Sequence, residues 1–187
     1  MKIVEIDGQD YNMPEGWHEV TVEKFYKFTA HADKMKEYKS DTLFSLEMYS
    51  ILLDAPADVI KKLTQESYVI LTDELSWISK DVKPSEKIQF NIEDNVYVPI
   101  REFQKMTMGE MIDIELMIAD SDKNELMINL LPILVRKAEP KFKGSKTKLV
   151  PSEYDSSKYF ELKELFKKNL MITDVISFND FFLTTAK

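Results

Sequence analysis

Two short strand-like runs, Lys2–Ile6 and Gln9–Met13, open the chain and flank Asp7-Gly8. That dipeptide predicts a two-residue hairpin turn, because both central positions need positive φ. Pro14, Gly16 and the Trp17-His18 pair close this unit. A helical spacing of apolar residues then takes over. Thr21 is suited to cap a helix running to about Glu37, with Val22, Phe25, Tyr26 and Phe28 on its buried face. After a polar connection, Asp41 is expected to cap a second helix whose broad apolar face holds Leu43, Leu46, Met48, Tyr49, Leu52 and Leu53. Pro56 suits the first turn of a short third helix with Val59, Ile60 and Leu63. A fourth helix is expected over 65–80, with Tyr68, Leu71, Leu75 and Ile78 on one stripe.

Pro84 marks a break, after which Ile88, Phe90 and Ile92 alternate with polar residues. Val96 and Val98 do the same beyond Asp94-Asn95, so 87–99 reads as a second hairpin. The two hairpins are expected to pair into one small sheet. Thr107 is a clear cap for the helix that follows, which runs into Asp120 and Ser121. The next helix, over 123–137, carries Leu126, Met127, Leu130, Leu131, Ile133 and Leu134, and Pro132 inside it predicts a kink or break. Residues 138–155, with Pro140, Gly144 and Pro151, are expected to form a long loop or arm. A pair of helices closes the chain over 156–187. The fold class that results is mainly α, within α+β: a helical bundle with a small antiparallel sheet from two β-hairpins. It is expected as one domain, 1–187, whose helical core spans 21–80 and 107–137.

Composition supports a packed core, since the 187 residues are 44% hydrophobic and 31% charged. There is no cysteine, which excludes disulfides, thiolate metal sites and a cysteine nucleophile, and fits a reducing compartment. The N-terminal apolar stretch is short and broken by acids, unlike a signal peptide. No apolar run reaches the roughly 18 residues of a membrane span, so no membrane role is expected. The reading is of a protein made and kept inside a cell, or inside something assembled there. A net charge of −8 disfavours general nucleic-acid binding. The charge is uneven: Arg136–Val150 holds Arg136, Lys137, Lys141, Lys143, Lys146 and Lys148 against Glu139 alone. That surplus of +5 in a chain of −8 leaves −13 on the remainder.

Chemistry-bearing groups are sparse. His18 and His31 lack the three or four companions a zinc site requires. Asp120-Ser121-Asp122-Lys123-Asn124 begins like a calcium loop, but Glu125 and Leu131 stand where glycine and glutamate are needed, so a turn between helices explains it better. Glu110 and Asp113 share a helix face. They could act as an acid–base pair, with His18 or His31 as helpers, but carboxylates in a first helical turn also stabilise its positive end, and that reading is preferred. Gly8, Gly16, Gly109 and Gly144 are isolated and build no phosphate loop. Met106, Met108, Met111, Met117 and Met127 serve either core packing or an adaptable binding surface. Phe178, Phe181 and Phe182 form a stripe that is core or docks a neighbouring subunit. The basic arm reads as a solvated excursion, as a reach toward an acidic neighbour, or as a contact with passing DNA phosphates, and Phe142 could anchor it.

Three stretches resemble small proteins encoded among the head–tail and tail genes of tailed bacteriophages, notably the crAss-like group. They are Ile6-Asp7-Gly8 to Tyr11-Asn12-Met13-Pro14 with Trp17-His18-Glu19-Val20-Thr21; Tyr97-Val98-Pro99-Ile100 with Met106-Thr107-Met108-Gly109-Glu110 and Ile112-Asp113-Ile114-Glu115; and Asn129-Leu130-Leu131-Pro132-Ile133-Leu134-Val135-Arg136. The resemblance implies no enzyme and no cofactor, and the residues themselves lead to no expected metal site. It implies a virion protein, made in host cytoplasm, that forms a cyclic ring in the neck or tail and touches the portal and other ring proteins. A dodecamer is the copy number it suggests, with DNA passing through the ring without sequence-specific contact. Some such proteins are labelled tail assembly chaperones, which is the alternative. Lys141, Phe142, Lys143, Lys146, Lys148, Phe178, Phe181 and Phe182 are the expected interface residues.

Overall fold

In the computed structural model, Asp7 and Gly8 take φ of 54° and 75° and join β1 (Lys2–Ile6) to β2 (Gln9–Met13). The turn chemistry read from the sequence is therefore present. The structure describes residues 1–121, 125–143 and 146–185, with the backbone alone for 141–143, 146–148 and 183–185. The chain forms two compact units rather than the one domain its length suggested. The first comprises Met1–Lys83 and Met171–Thr173, and the second Pro84–Leu170 and Asp174–Lys187. The α+β class holds: among the described residues there are eight α-helices and two small antiparallel sheets.

The first unit builds α1 (Val22–Ala32), α2 (Asp41–Leu53), α3 (Ala57–Ile60) and α4 (Gln65–Glu74) onto the β1–β2 hairpin. Thr21 caps α1 by accepting the Lys24 N–H, as its hydroxyl allows. Ser40, not Asp41, caps α2, and Asp41 becomes the first helical residue. The expected long first and fourth helices each stop early and continue as a 3₁₀ turn, at Met35–Glu37 and Ser76–Ser79. Trp17 centres the core, edge-on to Phe25, Phe28 and Trp77 at 5.4, 5.5 and 5.0 Å. Its indole N–H reaches the Lys80 carbonyl at 2.9 Å. Val20, Val22, Leu52 and Ile60 are fully buried around this unit's helices. Met171–Thr173 return here: Met171 bridges Thr21, and the Ile172 N–H donates to Val20 O at 2.9 Å.

In the second unit the strand order is β3 (Phe90–Ile92), β4 (Asn95–Pro99), β5 (Val135–Lys143), β6 (Lys146–Pro151), all antiparallel. The second hairpin turns through Glu93-Asp94, one residue earlier than expected, and Glu93 sits at φ 52°. The two hairpins do not share a sheet. The second pairs instead with β5, through Tyr97↔Lys137, Val98↔Arg136 and Pro99↔Val135. Residues 138–155, expected as a loop, therefore contribute most of two paired strands. Four helices accompany the sheet: α5 (Met108–Asp120), α6 (Leu126–Leu134), α7 (Tyr159–Asn169) and α8 (Ile172–Thr185). Pro132 does lie inside α6, and the helix gives way to β5 directly after Leu134. Phe166 and Phe178 are fully buried in this unit, with Phe178 packed 4.4 Å from Phe90 and Phe166 edge-on to Tyr97.

A glutamate at φ 52° carries a steric penalty that glycine does not. Glu93→Gly is expected to stabilise the protein by about 1 kcal/mol. Urea melts of the two proteins check this, and no gain would mean that the turn relaxes to another geometry in solution.

Candidate protein-binding site

The sequence from Met106 to Asp113 builds one end of the site. The Thr107 hydroxyl accepts the Glu110 N–H at 3.2 Å, and Glu110 Oε2 accepts the Thr107 N–H at 2.6 Å. This reciprocal pair satisfies two N–H groups that a helix start leaves free. The second Glu110 oxygen accepts from Arg136 Nη2 at 2.7 Å, with only 4% and 11% of the two side chains exposed. Arg136 Nη1 donates to Pro132 O at 3.1 Å, one of the carbonyls that the end of α6 would otherwise leave unpaired. The Val135 N–H takes Leu131 O, and the Ile100 N–H takes Leu134 O. The guanidinium also lies 4.7 Å over the Tyr154 ring. Tyr154 in turn donates to Asp113 Oδ2 at 2.7 Å. Burial and this carboxylate neighbour push the Tyr154 hydroxyl pKa well up, so it stays a donor.

Glu110 and Asp113 thus do share a face, but each is engaged by a structural partner. Glu110 belongs to the cap and the ion pair, which goes further than the dipole role expected of it. His18 and His31 belong to the other unit. His31 lies between Tyr38 and Phe44, at 5.3 and 5.2 Å, and its Nε2 is 3.9 Å from Glu47.

Beside this network lies a groove of about 330 Å³. Asp113, Met117 and Asp120 of α5, Asn129 and Ile133 of α6, and Tyr159, Phe160 and Lys163 of α7 supply most of its wall. Tyr159 donates to Asn129 O at 3.0 Å, with Met117 Sδ at 3.1 Å. Asn129 is 8% exposed and gives its amide N–H to Ser121 at 2.7 Å. Its Oδ1 is buried with no hydrogen-bond partner among the described residues. Phe160, on the rim, is 77% exposed.

The outer face of α5 is apolar as well. Met108, Met111, Ile112, Leu116 and Ile118 are 38% to 75% exposed, while Glu110 is the buried residue of the helix. Five large apolar side chains along one face make a patch of the kind that marks an interaction surface. The sequence placed these methionines in the core or at an interface. Met108 and Met111 take the exposed position.

The residues expected to form the interface fall differently. Phe178 and Phe182 are core, 0% and 8% exposed, and Phe178 stacks on Phe182 at 6.0 Å. Phe182 also meets Phe103 at 5.8 Å. These contacts remove both from an exterior stripe, and half-buried Phe181 packs against Phe182 at 5.4 Å. The side chains of Lys141, Phe142, Lys143, Lys146 and Lys148 lie outside the described residues, but their backbone forms β5 and β6. Arg136, counted with this basic segment, is withdrawn from it by burial against Glu110.

Glu110→Ala leaves a buried guanidinium without its counter-charge and is expected to cost about 3–5 kcal/mol, much of which the double change Glu110→Leu with Arg136→Met restores. The pair also has a pH signature. Burial raises the Glu110 pKa, but the Thr107 N–H, Arg136 and the Thr107 hydroxyl outweigh it and hold it below the usual 4.5. Its stabilisation is then complete above 4.5 and is lost as pH falls through the lower folded value. Urea melts from about pH 6 down to about pH 3 should show a steeper acid loss in the wild type than in Glu110→Gln. Equal slopes would show that Glu110 contributes nothing to acid stability.

Among the described residues no three His, Asp or Glu side chains stand together as a metal site, and no helix is long and apolar enough to cross a membrane. No protein-family model matches the chain, and no curated protein or solved structure matches it either.

Proposed function

We propose that this chain is a non-enzymatic structural subunit of a bacteriophage virion, forming a ring in the head–tail connector or tail by protein–protein contacts. The observation that carries the binding part of this reading is α5, whose outward Met108, Met111, Ile112, Leu116 and Ile118 stay exposed among the described residues. In a closed ring each copy presents one patch to a different patch on the next, so such a face is buried in every copy. The virion setting rests on the resemblance of the Asp7-Gly8, Thr107–Asp113 and Asn129–Arg136 stretches to phage neck and tail proteins. The network around Glu110 supports a scaffold role, because its polar groups are engaged with one another rather than turned toward a substrate.

Met108 and Met111 favour a second reading, a tail assembly chaperone that holds unassembled tail proteins in the host cytoplasm. Methionine is flexible and polarisable and suits a surface that meets varied partners. Mass spectrometry of purified particles separates the two. A ring protein is present in stoichiometric amount, and a chaperone is abundant in infected cells but absent from particles. For the ring, native mass spectrometry of the purified chain should show a closed oligomer at micromolar concentration. Ile112→Glu with Leu116→Glu should reduce it to monomers without lowering the melting temperature. A chain that stays monomeric and is missing from particles overturns the ring.

A further inference from the structure

We propose that the contact between copies is the β5–β6 ribbon of one chain laid on α5 and the adjoining groove of the next; this rests on the ring reading and names its interface. On the ribbon side, pairing with β4 reaches Lys137, and beyond it β5 pairs with β6 from Ala138↔Pro151 to Lys143↔Lys146. A two-stranded ribbon is marginal in water unless something packs on it. The register sets Lys141 opposite Lys148 and Lys143 opposite Lys146. The strand period of two assigns these four positions to one face, and Pro140, Phe142, Thr147 and Leu149 to the other. Like charges directly opposite destabilise a strand pair. An anionic surface laid against that face reverses the sign.

On the receiving side, α5 holds Glu110, Asp113, Glu115 and Asp120 and no basic residue. Glu110 is neutralised by Arg136 and Asp113 is bonded to Tyr154, which leaves Glu115 and Asp120 as the exposed carboxylates beside the apolar stripe. That mixture matches lysine, whose aliphatic stem lies on apolar surface while its ammonium seeks an acid. Lys163 lines the groove and opposes an incoming cation, but the α5 carboxylates outnumber it. Among the described residues the stripe stays exposed, and a second copy is the occupant whose basic ribbon complements it in charge. A nucleic acid fits less well, because the chain outside the basic segment carries −13 and repels phosphate.

Charge exchange tests this. Glu115 and Asp120 are exposed, so Glu115→Lys with Asp120→Lys leaves folding intact. Either that pair of changes, or Lys141→Glu, Lys143→Glu, Lys146→Glu and Lys148→Glu together, should weaken self-association at least about tenfold, and combining the two sets should restore it. Carboxyl–amine zero-length crosslinking of mixed light and heavy-nitrogen chains should join one of the four lysines to Glu115 or Asp120 between a light and a heavy peptide. An oligomer indifferent to both reversals, crosslinks confined to single chains, or association that nuclease abolishes would each overturn this contact while leaving the ring reading standing. A chain that is monomeric at every concentration overturns both.

Discussion

Arg136 holds a full positive charge where only 4% of its side chain meets solvent. Taking such a group out of water costs several kcal/mol unless its surroundings replace the lost hydration. Here Glu110, the Pro132 carbonyl and the Tyr154 ring do so, and each comes from a different part of the second unit. Glu110 is fixed by the cap of α5, Pro132 by the last turn of α6, and Tyr154 by its bond to Asp113. The guanidinium therefore dictates where α5 begins, where α6 ends and where the chain passes after β6. The change from α6 to β5 without a connecting residue depends on it too, since the carbonyls exposed at that change are claimed by Arg136, Val135 and Ile100.

Much of the local structure was legible in the sequence. Asp7-Gly8 marked its turn, Thr21 and Thr107 marked their helix starts, and Pro132 marked the end of regular helix nearby. Each is a short-range signal whose cause lies within four residues. What the sequence hid was distant. Glu110 and Arg136 stand 26 residues apart, and Arg136 was counted among solvent-facing basic residues because its neighbours are lysines. The 138–155 stretch was read as a loop on account of Pro140, Gly144 and Pro151. Its alternation of lysine with Pro140 and Phe142, and again of Lys146 and Lys148 with Thr147 and Leu149, was a strand signal that those breakers masked. The pairing of the second hairpin with β5 had no local trace, because strand partners are chosen by the whole sheet. Phe178 and Phe182 lie on a stripe that periodicity alone could not assign to inside or outside.

α5 gains its place by polar as well as apolar attachment. Its inward positions are Glu110, Asp113, Ile114 and Met117, and its larger apolar residues turn outward. This inverts the usual arrangement, in which a helix buries its apolar stripe and shows charge to water. The inversion leaves the helix fixed by directional bonds while its adhesive surface stays open. It also means that the charge of α5 is not balanced on the helix itself, as it would be with lysines one turn away.

The return of Met171–Thr173 to the first unit sets a schedule for making the protein. Val20 receives its Ile172 hydrogen bond, and Thr21 its Met171 bridge, from residues that lie some 150 positions later in the chain. A growing chain emerges from its N-terminal end, so the hairpin and α1–α4 are synthesised long before the Met171–Thr173 segment that completes them. The first unit is thus not a self-contained cassette that finishes and waits. It is closed only when residues 171–173 have been translated, which ties completion of the first unit to synthesis of most of the second.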